Sequence, residues 1–186
     1  MAPKSTIFKV ILSVSDINRS YYEDHVLTVA RHPSETDTRM IVRILAFALN
    51  AHERLEFGKG LSTAEEPDLW QTGLTGDIEH WIDLGQPAEK RIRQACSKAH
   101  KVSLYSFQKG AAGPWFDGIK DDIERFKHLR VTLLTFEDES LVTAMVGRSM
   151  RLSCTIQDEE ATLSDDAQSL VVSLNLLKDF AGKHQN

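Results

Sequence analysis

Two aspartates, Asp68 and Asp83, are the residues of this sequence whose type and placement could do chemistry. Asp68 follows a proline, which keeps the preceding chain extended, and Asp83 lies near the end of an apolar, strand-like segment. If the two segments pair in one sheet, their carboxylates come together and repel each other unless a cation joins them. Hard divalent ions such as Mg²⁺ take one or two carboxylates together with water and substrate phosphate. The pair is therefore a candidate magnesium site.

The charge of the chain reverses directly after Asp83. Residues 65–83 contain six acids and no lysine or arginine, whereas residues 86–101 contain five bases and one acid. A helix start and a basic helix beside two acids would favour a bound phosphate. The alternative is a solvated charged face on which each aspartate is only a local cap.

Hydrophobic periodicity predicts the elements that must position these residues. Strands are expected at 6–14, 22–31, 55–57, 78–84, 102–107, 131–136, 151–157 and 169–174, and helices from 33–34, from 87, at 115–129 and at 140–146. The first two strands should form a hairpin, and the first helix, apolar on two faces and capped by Ser34, should be buried centrally. Strands separated by helices predict one α/β domain over residues 1–186, an α+β arrangement with a mixed sheet.

Composition and motifs exclude several classes of function. With a net charge of −5, the chain differs from free-standing nucleic-acid coat proteins and membrane-surface binders, which are usually basic. Cys96 and Cys154 form no Cys-x-x-Cys pair, so a zinc ribbon is excluded. Phosphate-binding glycine loops, a serine nucleophile elbow and a His-Glu-x-x-His pair are also missing. We expect a cytoplasmic monomer that does not bind membranes.

Three longer motifs resemble the bacterial YaeQ proteins. They are ARHPSETDTRM at 30–40, EPDLW at 66–70 and WIDLGQPAEKRI at 81–92, and the likeness runs from the start of the chain to the strand near 170. The resemblance implies a fold related to the PD-(D/E)xK nuclease superfamily, with an N-terminal β-hairpin and extra C-terminal strands. The core of that superfamily is helix, three strands, helix, strand, and the elements expected over residues 34–107 have a similar order.

The resemblance also implies a set of metal ligands. Pro67-Asp68 takes the place of the Pro-Asp pair and Asp83 that of the second acid, while the backbone carbonyl of Leu84 would be a further ligand. Glu35, on the first core helix, stands where many such nucleases carry an additional acid. Mg²⁺ or Mn²⁺ is the implied cofactor.

The sequence departs from the nuclease pattern at Gly85, where the pattern has a lysine that stabilises the charged transition state. Lys90 on the following helix could reach back, and it joins Asp68 and Asp83 as an expected catalytic residue. Arg91 is a weaker replacement because an arginine does not give up its proton. Arg39 and Arg91 are the expected substrate-binding residues.

Two questions stay open at this point. Glu35, Arg39 and Arg43 are four residues apart, which suits either a salt-bridge ladder or a metal-facing Glu35 held by Arg39. The leading hypothesis is a magnesium-dependent nuclease that hydrolyses phosphodiesters in nucleic acid. The alternative, favoured by Gly85 and the negative charge, is a non-catalytic binding or regulatory module on the same scaffold, which binds its protein or nucleic-acid partner without divalent ions.

Overall fold

The computed structural model describes residues 4–59 and 65–181. Its strands are β1 (Thr6–Asp16), β2 (Tyr21–Arg31), β3 (Leu55–Phe57), β4 (Leu69–Thr72), β5 (Ile78–Leu84), β6 (Ala99–Ser106), β7 (Leu129–Phe136), β8 (Ser149–Gln157), β9 (Glu160–Ser164) and β10 (Ser169–Lys178). Its helices are α1 (Asp37–Leu49), α2 (Glu89–Lys98), α3 (Lys109–Ile123) and α4 (Glu139–Ala144). The hairpin of β1 and β2 and the strand at residues 78–84 are as the sequence predicts.

The described strands all lie in one mixed sheet, in the order β2-β1-β8-β9-β10-β7-β6-β5-β4-β3. β5, β6 and β7 run parallel to one another, and β1 runs parallel to β8, whereas the other neighbours are antiparallel. The crossovers between the parallel strands of the second half are α2 and α3, as a mixed α+β fold requires.

The sheet curls around α1 and nearly closes on itself. Nine successive residues of α1, from Met40 to Ala48, are buried, and the helix contacts β1 and β8 on one side and β5 on the other. The two edge strands, β2 and β3, both contact Phe47 of α1. Its ring lies 5.0 Å from that of His25 on β2 and 5.6 Å from that of Phe57 on β3. α1 is therefore central, and the sheet is larger and more closed than the compact core that the resemblance implies.

The outer face of the parallel strands is covered by α2 and α3. Trp81, Val102 and Val131 on the strands pack with Ile92 of α2 and Ile123 of α3 in a second apolar cluster. Because these parallel strands are covered on both faces, the last five residues of β5 and of β6 are all buried, although their sequences contain polar residues. This arrangement holds the C-terminal end of β5 between α1 on one side and α2 on the other.

The first two helices begin later than expected. α1 begins at Asp37, and its N-cap is Thr36, whose hydroxyl accepts a hydrogen bond from the backbone of Arg39 at 3.1 Å. Ser34, the expected cap, instead interacts with the ring of His32. α2 begins at Glu89 and not at the proline two residues earlier.

The third helix and one strand were wrongly placed. The helix expected at 115–129 is Lys109–Ile123, so it starts before Pro114 and ends where the chain turns into β7. The acidic segment expected as a loop between residues 157 and 169 contains β9, which pairs with both β8 and β10.

A candidate acid–arginine site

Three acids and three arginines form one connected charge network where α1 meets the ends of β4 and β5. We call it the acid–arginine network, and its members are Glu35, Arg39, Arg43, Asp68, Asp83 and Arg91. It contains all the expected site residues except Leu84, which touches it through its backbone, and Lys90.

The pairing of β4 with β5 brings Asp68 and Asp83 side by side. Leu69 of β4 lies opposite Ile82 of β5, so Asp68, one residue before Leu69, faces Asp83, one residue after Ile82. The backbone N–H of Asp68 accordingly points at Oδ1 of Asp83, with 3.4 Å between the two atoms. The expected meeting of the two segments in one sheet is confirmed.

Asp68 is buried and held by α1. Nη2 of Arg39 donates to both of its carboxylate oxygens, at 2.8 and 2.9 Å, and the backbone N–H of Leu84 donates to Oδ2 at 2.8 Å. Burial raises the pKa of Asp68, and the neighbouring charge of Asp83 raises it further, whereas Arg39 and the Leu84 hydrogen bond work to lower it. The pKa of Asp68 is raised overall, and Arg39 is the main group that stabilises its ionised form.

Asp83 is held by α2. The guanidinium of Arg91 donates a hydrogen bond to each of its carboxylate oxygens, with Nε 2.8 Å from Oδ2 and Nη2 3.0 Å from Oδ1. The same guanidinium donates to the backbone oxygen of Glu66 at 2.8 Å and lies 5.7 Å from the centre of the Trp81 ring. Burial works to lower the pKa of Arg91, but its hydrogen bonds to Asp83 and the charges of both aspartates raise it overall.

Glu35 lies in a turn before α1, not on the helix as expected, and its backbone N–H donates to the His32 oxygen. Its carboxylate sits between Arg39, at 3.2 Å, and Arg43, at 2.7 Å. The spacing therefore forms a salt-bridge ladder, which was one of the two interpretations that the sequence left open.

Arg43 spans the gap between the two edge strands. Its side chain is 1% exposed, its Nη2 donates to the backbone oxygen of Ala30 on β2 at 2.9 Å, and its guanidinium lies 5.6 Å from the Phe57 ring on β3. Its Nε is buried without a hydrogen-bond partner within the described residues. Arg43 thus fills the seam of the sheet.

This arrangement does not fit a divalent ion. Every carboxylate oxygen of the three acids already accepts a hydrogen bond from an arginine, so an ion would have to displace Arg39 and Arg91. The backbone N–H of Leu84 also donates to Asp68, which adds a further donor to that carboxylate. Across residues 4–59 and 65–181, no group of three histidine, cysteine, aspartate or glutamate side chains is arranged to hold a metal.

Solvent reaches Arg39 and Arg91 of the network far more than its acids or Arg43. The side chains of the acids are 2–8% exposed, whereas Arg39 is 18% and Arg91 is 28% exposed. A ligand that approaches from water therefore meets guanidinium groups, whose fork geometry matches carboxylate and phosphate oxygens.

Gly85 stands where the resemblance places a lysine, and Lys90 is the residue expected to substitute for it. Gly85 has φ of +90°, and its N–H donates to the Tyr105 oxygen at 2.8 Å. A lysine here would be strained because side chains disfavour this conformation. Lys90 is exposed in the first turn of α2, and no hydrogen bond or ion pair between described residues joins it to Asp68 or Asp83.

Sequence reasoning missed the partner of Asp83. Arg91 was expected to contact substrate, and its fork on Asp83 follows no helical spacing, because eight residues and a turn separate the two. The charge reversal after Asp83 was the available signal, since it places a basic first turn next to a buried acid.

Comparisons with known proteins give a consistent result. A sequence model of the YaeQ family, described as YaeQ protein, matches residues 1–174. The chain is 41% identical to "Uncharacterized protein YaeQ" of Escherichia coli K12 over 174 residues, covering 94% of this chain and 96% of the relative. The corresponding protein of Salmonella typhi is 39% identical over the same length, with the same two coverages.

Solved structures of similar proteins have the same fold. The crystal structure of the YaeQ protein from Xanthomonas axonopodis pv. citri superposes with a TM-score of 0.89 at 40% identity, covering 94% of this chain and 99% of that one. The YaeQ protein from Pseudomonas syringae gives a TM-score of 0.87 at 31% identity, covering 96% and 98%. None of the described helices of this chain is long and apolar enough to cross a membrane.

Proposed function

The chain belongs to the YaeQ family, and we propose that it is a non-catalytic binding module that contacts the phosphate backbone of a nucleic acid through Arg39 and Arg91. The observation that carries the proposal is the layering of the network, in which partly exposed guanidinium groups lie over buried carboxylates. The acids then position the arginines instead of holding a metal. Binding of this kind needs no divalent ion.

The positioning of the arginines supports a phosphate ligand. Arg39 is held by Glu35 and Asp68, and Arg91 by Asp83 and the Glu66 backbone. Side chains fixed in this way lose less conformational entropy when they bind, and arginine forks match phosphate oxygens. Because the whole chain carries a charge of −5, the contact must be local, and we expect it to weaken steeply with salt.

The proposal includes descent of this scaffold from PD-(D/E)xK nucleases. The element order α1, β3, β4, β5, α2, β6 supports it, since this is helix, three strands, helix, strand. The adjacency of Asp68 and Asp83 supports it as well. In this view the acids kept their places while arginines took over the role of the counter-ion.

The test is a fluorescence-anisotropy titration of labelled single-stranded DNA, double-stranded DNA and single-stranded RNA, at low salt, in EDTA and again in Mg²⁺. We expect binding in EDTA to at least one probe, with Arg39→Lys and Arg91→Lys weakening it several-fold, because lysine keeps the charge but loses the fork. The slope of log K against log salt should stay nearly unchanged in both variants, because lysine keeps the positive charge that neutralises a phosphate.

The matched control is Arg93→Lys on the same helix, because Arg93 is exposed and paired with Glu89 on its own turn. Binding that appears only with Mg²⁺, or Arg91→Lys behaving like Arg93→Lys, would contradict the proposed role of the arginines. If none of the three nucleic acids binds in EDTA, the proposal is overturned.

A magnesium-dependent nuclease is the second candidate, and the observation in its favour is the buried contact of Asp68 with Asp83. It requires Arg39 and Arg91 to swing away so that Mg²⁺ or Mn²⁺ can reach both acids. Calorimetric titration with Mn²⁺, paired with a plasmid-cleavage assay, tests it directly. Mn²⁺ binding and cleavage that are both lost in Asp68→Asn and Asp83→Asn, with Lys90→Gln reducing cleavage alone, would establish this candidate over the first.

A further inference from the structure

A cavity of about 270 Å³ opens on the concave side of the sheet, just past the last residue of α1. It shares no residue with the acid–arginine network. Leu49 at the end of α1 lines it, together with residues of β6, β7, β8 and β10. Its volume is slightly below the range of about 300–1,000 Å³ that is common for small-molecule sites, and the mouths of closed sheets are frequent places for such sites.

Two buried hydroxyl groups line this cavity with donor protons that no described residue accepts. Tyr105 on β6 and Thr132 on β7 are neighbours in the parallel register, and each is only 6% exposed. The Tyr105 oxygen accepts a hydrogen bond from Asn50 at 2.8 Å, but no described acceptor takes its own proton. The Thr132 hydroxyl has no hydrogen bond to any described residue.

A ligand that fills the cavity removes both hydroxyls from water, and burying an unpaired hydroxyl costs free energy. Two such groups side by side at a cavity therefore favour a ligand that presents acceptor oxygens. The burial of Tyr105 also raises the pKa of its phenol, so it keeps the proton that it would donate.

Two positively charged side chains stand near the same two hydroxyls. Arg19 and Arg130 line the cavity, and the charge of each acts on the Tyr105 phenol. Arg19 is anchored by Asp16, with Nε 2.6 Å from Oδ2, and Arg130 by Asp179, with Nη2 2.7 Å from Oδ1. Their side chains are 40–41% exposed, so each keeps part of its surface in contact with water.

The remaining walls limit the size and the charge of the ligand. Leu49, Leu174 and Leu176 supply apolar surface, which suits a short hydrocarbon part. Asp158 and Glu159 stand exposed at the rim and would repel a polyanion such as nucleic acid or a nucleoside triphosphate.

We propose that this cavity binds a small organic oxyanion, a carboxylate or a phosphate monoester with a short hydrocarbon chain, whose oxygens accept hydrogen bonds from Tyr105 and Thr132 between Arg19 and Arg130. The site is independent of nucleic-acid binding at the acid–arginine network, so either proposal stands or falls alone.

The experiment is an NMR titration of the full-length ¹⁵N-labelled protein with hexanoate, hexyl phosphate and the neutral hexanamide. We expect at least one of the two anions to shift the amide signals around Tyr105 and Thr132 at low millimolar concentration, and hexanamide not to. The anion that binds more tightly identifies the oxyanion. Thr132→Val, which removes the hydroxyl at nearly constant shape, should weaken that anion at least about tenfold, the effect of a hydrogen bond to a charged group.

Thr155→Val is the matched control, because Thr155 is an exposed strand threonine on the outer face of β8. It should bind the anion as the wild type does. Tyr105→Phe provides a second variant with the same expected loss as Thr132→Val. Equal binding of hexanamide and hexanoate, no shift with either anion, or a Thr132→Val protein that binds like Thr155→Val would overturn the proposal.

Discussion

The acid–arginine network and the cavity at the end of α1 are both polar and largely buried, but they differ in how completely their polar groups are hydrogen-bonded within the protein. In the network every carboxylate oxygen has a donor within the protein. In the cavity the hydroxyls of Tyr105 and Thr132 hold protons that no described residue accepts. Completed pairs stabilise a fold, whereas incomplete ones leave free energy for a ligand to gain. The comparison predicts that substitutions in the first region change stability and those in the second change binding.

The largest effect on stability is expected at the seam of the sheet. Arg43→Met removes a guanidinium that is 1% exposed and leaves Glu35 with Arg39 alone, so the free energy of unfolding should fall by about 3 kcal/mol. Chemical denaturation measures it. Arg93→Met, at an exposed pair on α2, should change stability by less than about 0.5 kcal/mol. Equal effects of the two variants would mean that Arg43 does not tie the edge strands together.

A smaller loss is expected where the buried acid pairs with a partly exposed arginine. Asp83→Asn weakens the fork of Arg91, whose side chain is 28% exposed and can recover water, so we expect a loss of about 2 kcal/mol. Lys90→Gln, one residue away from Arg91 and exposed, is the control and should leave the denaturation midpoint unchanged. An Asp83→Asn protein as stable as wild type would show that the pair does not stabilise the fold.

How far the sequence could predict this arrangement depends on the range of the interactions involved. The hairpin, the central helix and the β4–β5 meeting of Asp68 with Asp83 follow from local alternation, apolar stripes and the order of elements. The fork between Arg91 and Asp83 depends on how α2 packs on the sheet through Ile92, which no local spacing specifies.

The misplaced elements have the same origin. β9 is five residues long, its sequence EATLS begins with an acid, and its strand conformation depends on pairing with β8 and β10. α3 starts before a proline that usually disfavours a helix interior, but Trp115 just after it donates to the Pro87 oxygen at 3.0 Å and fixes the helix against its neighbour. Tertiary contacts thus overrode local preference at both places.

The pH dependence of Asp68 sharpens the comparison within the network itself. Because the folded-state pKa of Asp68 is raised, the folded protein binds the proton more tightly than the unfolded chain, and this contribution to stability falls as pH rises from 3.8 through the folded pKa. The unfolding free energy of wild type minus that of Asp68→Asn should therefore decrease as pH rises through that window. Denaturation of both proteins across the acidic range measures it. A difference that grows with pH would mean that the attraction of Arg39 outweighs burial.

The smallest effect on stability is expected in the cavity. Thr132→Val removes a hydroxyl that has no hydrogen bond to any described residue and replaces it by a methyl group of similar size, so the free energy of unfolding should stay within about 0.5 kcal/mol of wild type or rise. Denaturation beside Thr155→Val checks it. A loss above about 1 kcal/mol would show that the hydroxyl is already paired, and the contrast between the two regions would then not hold.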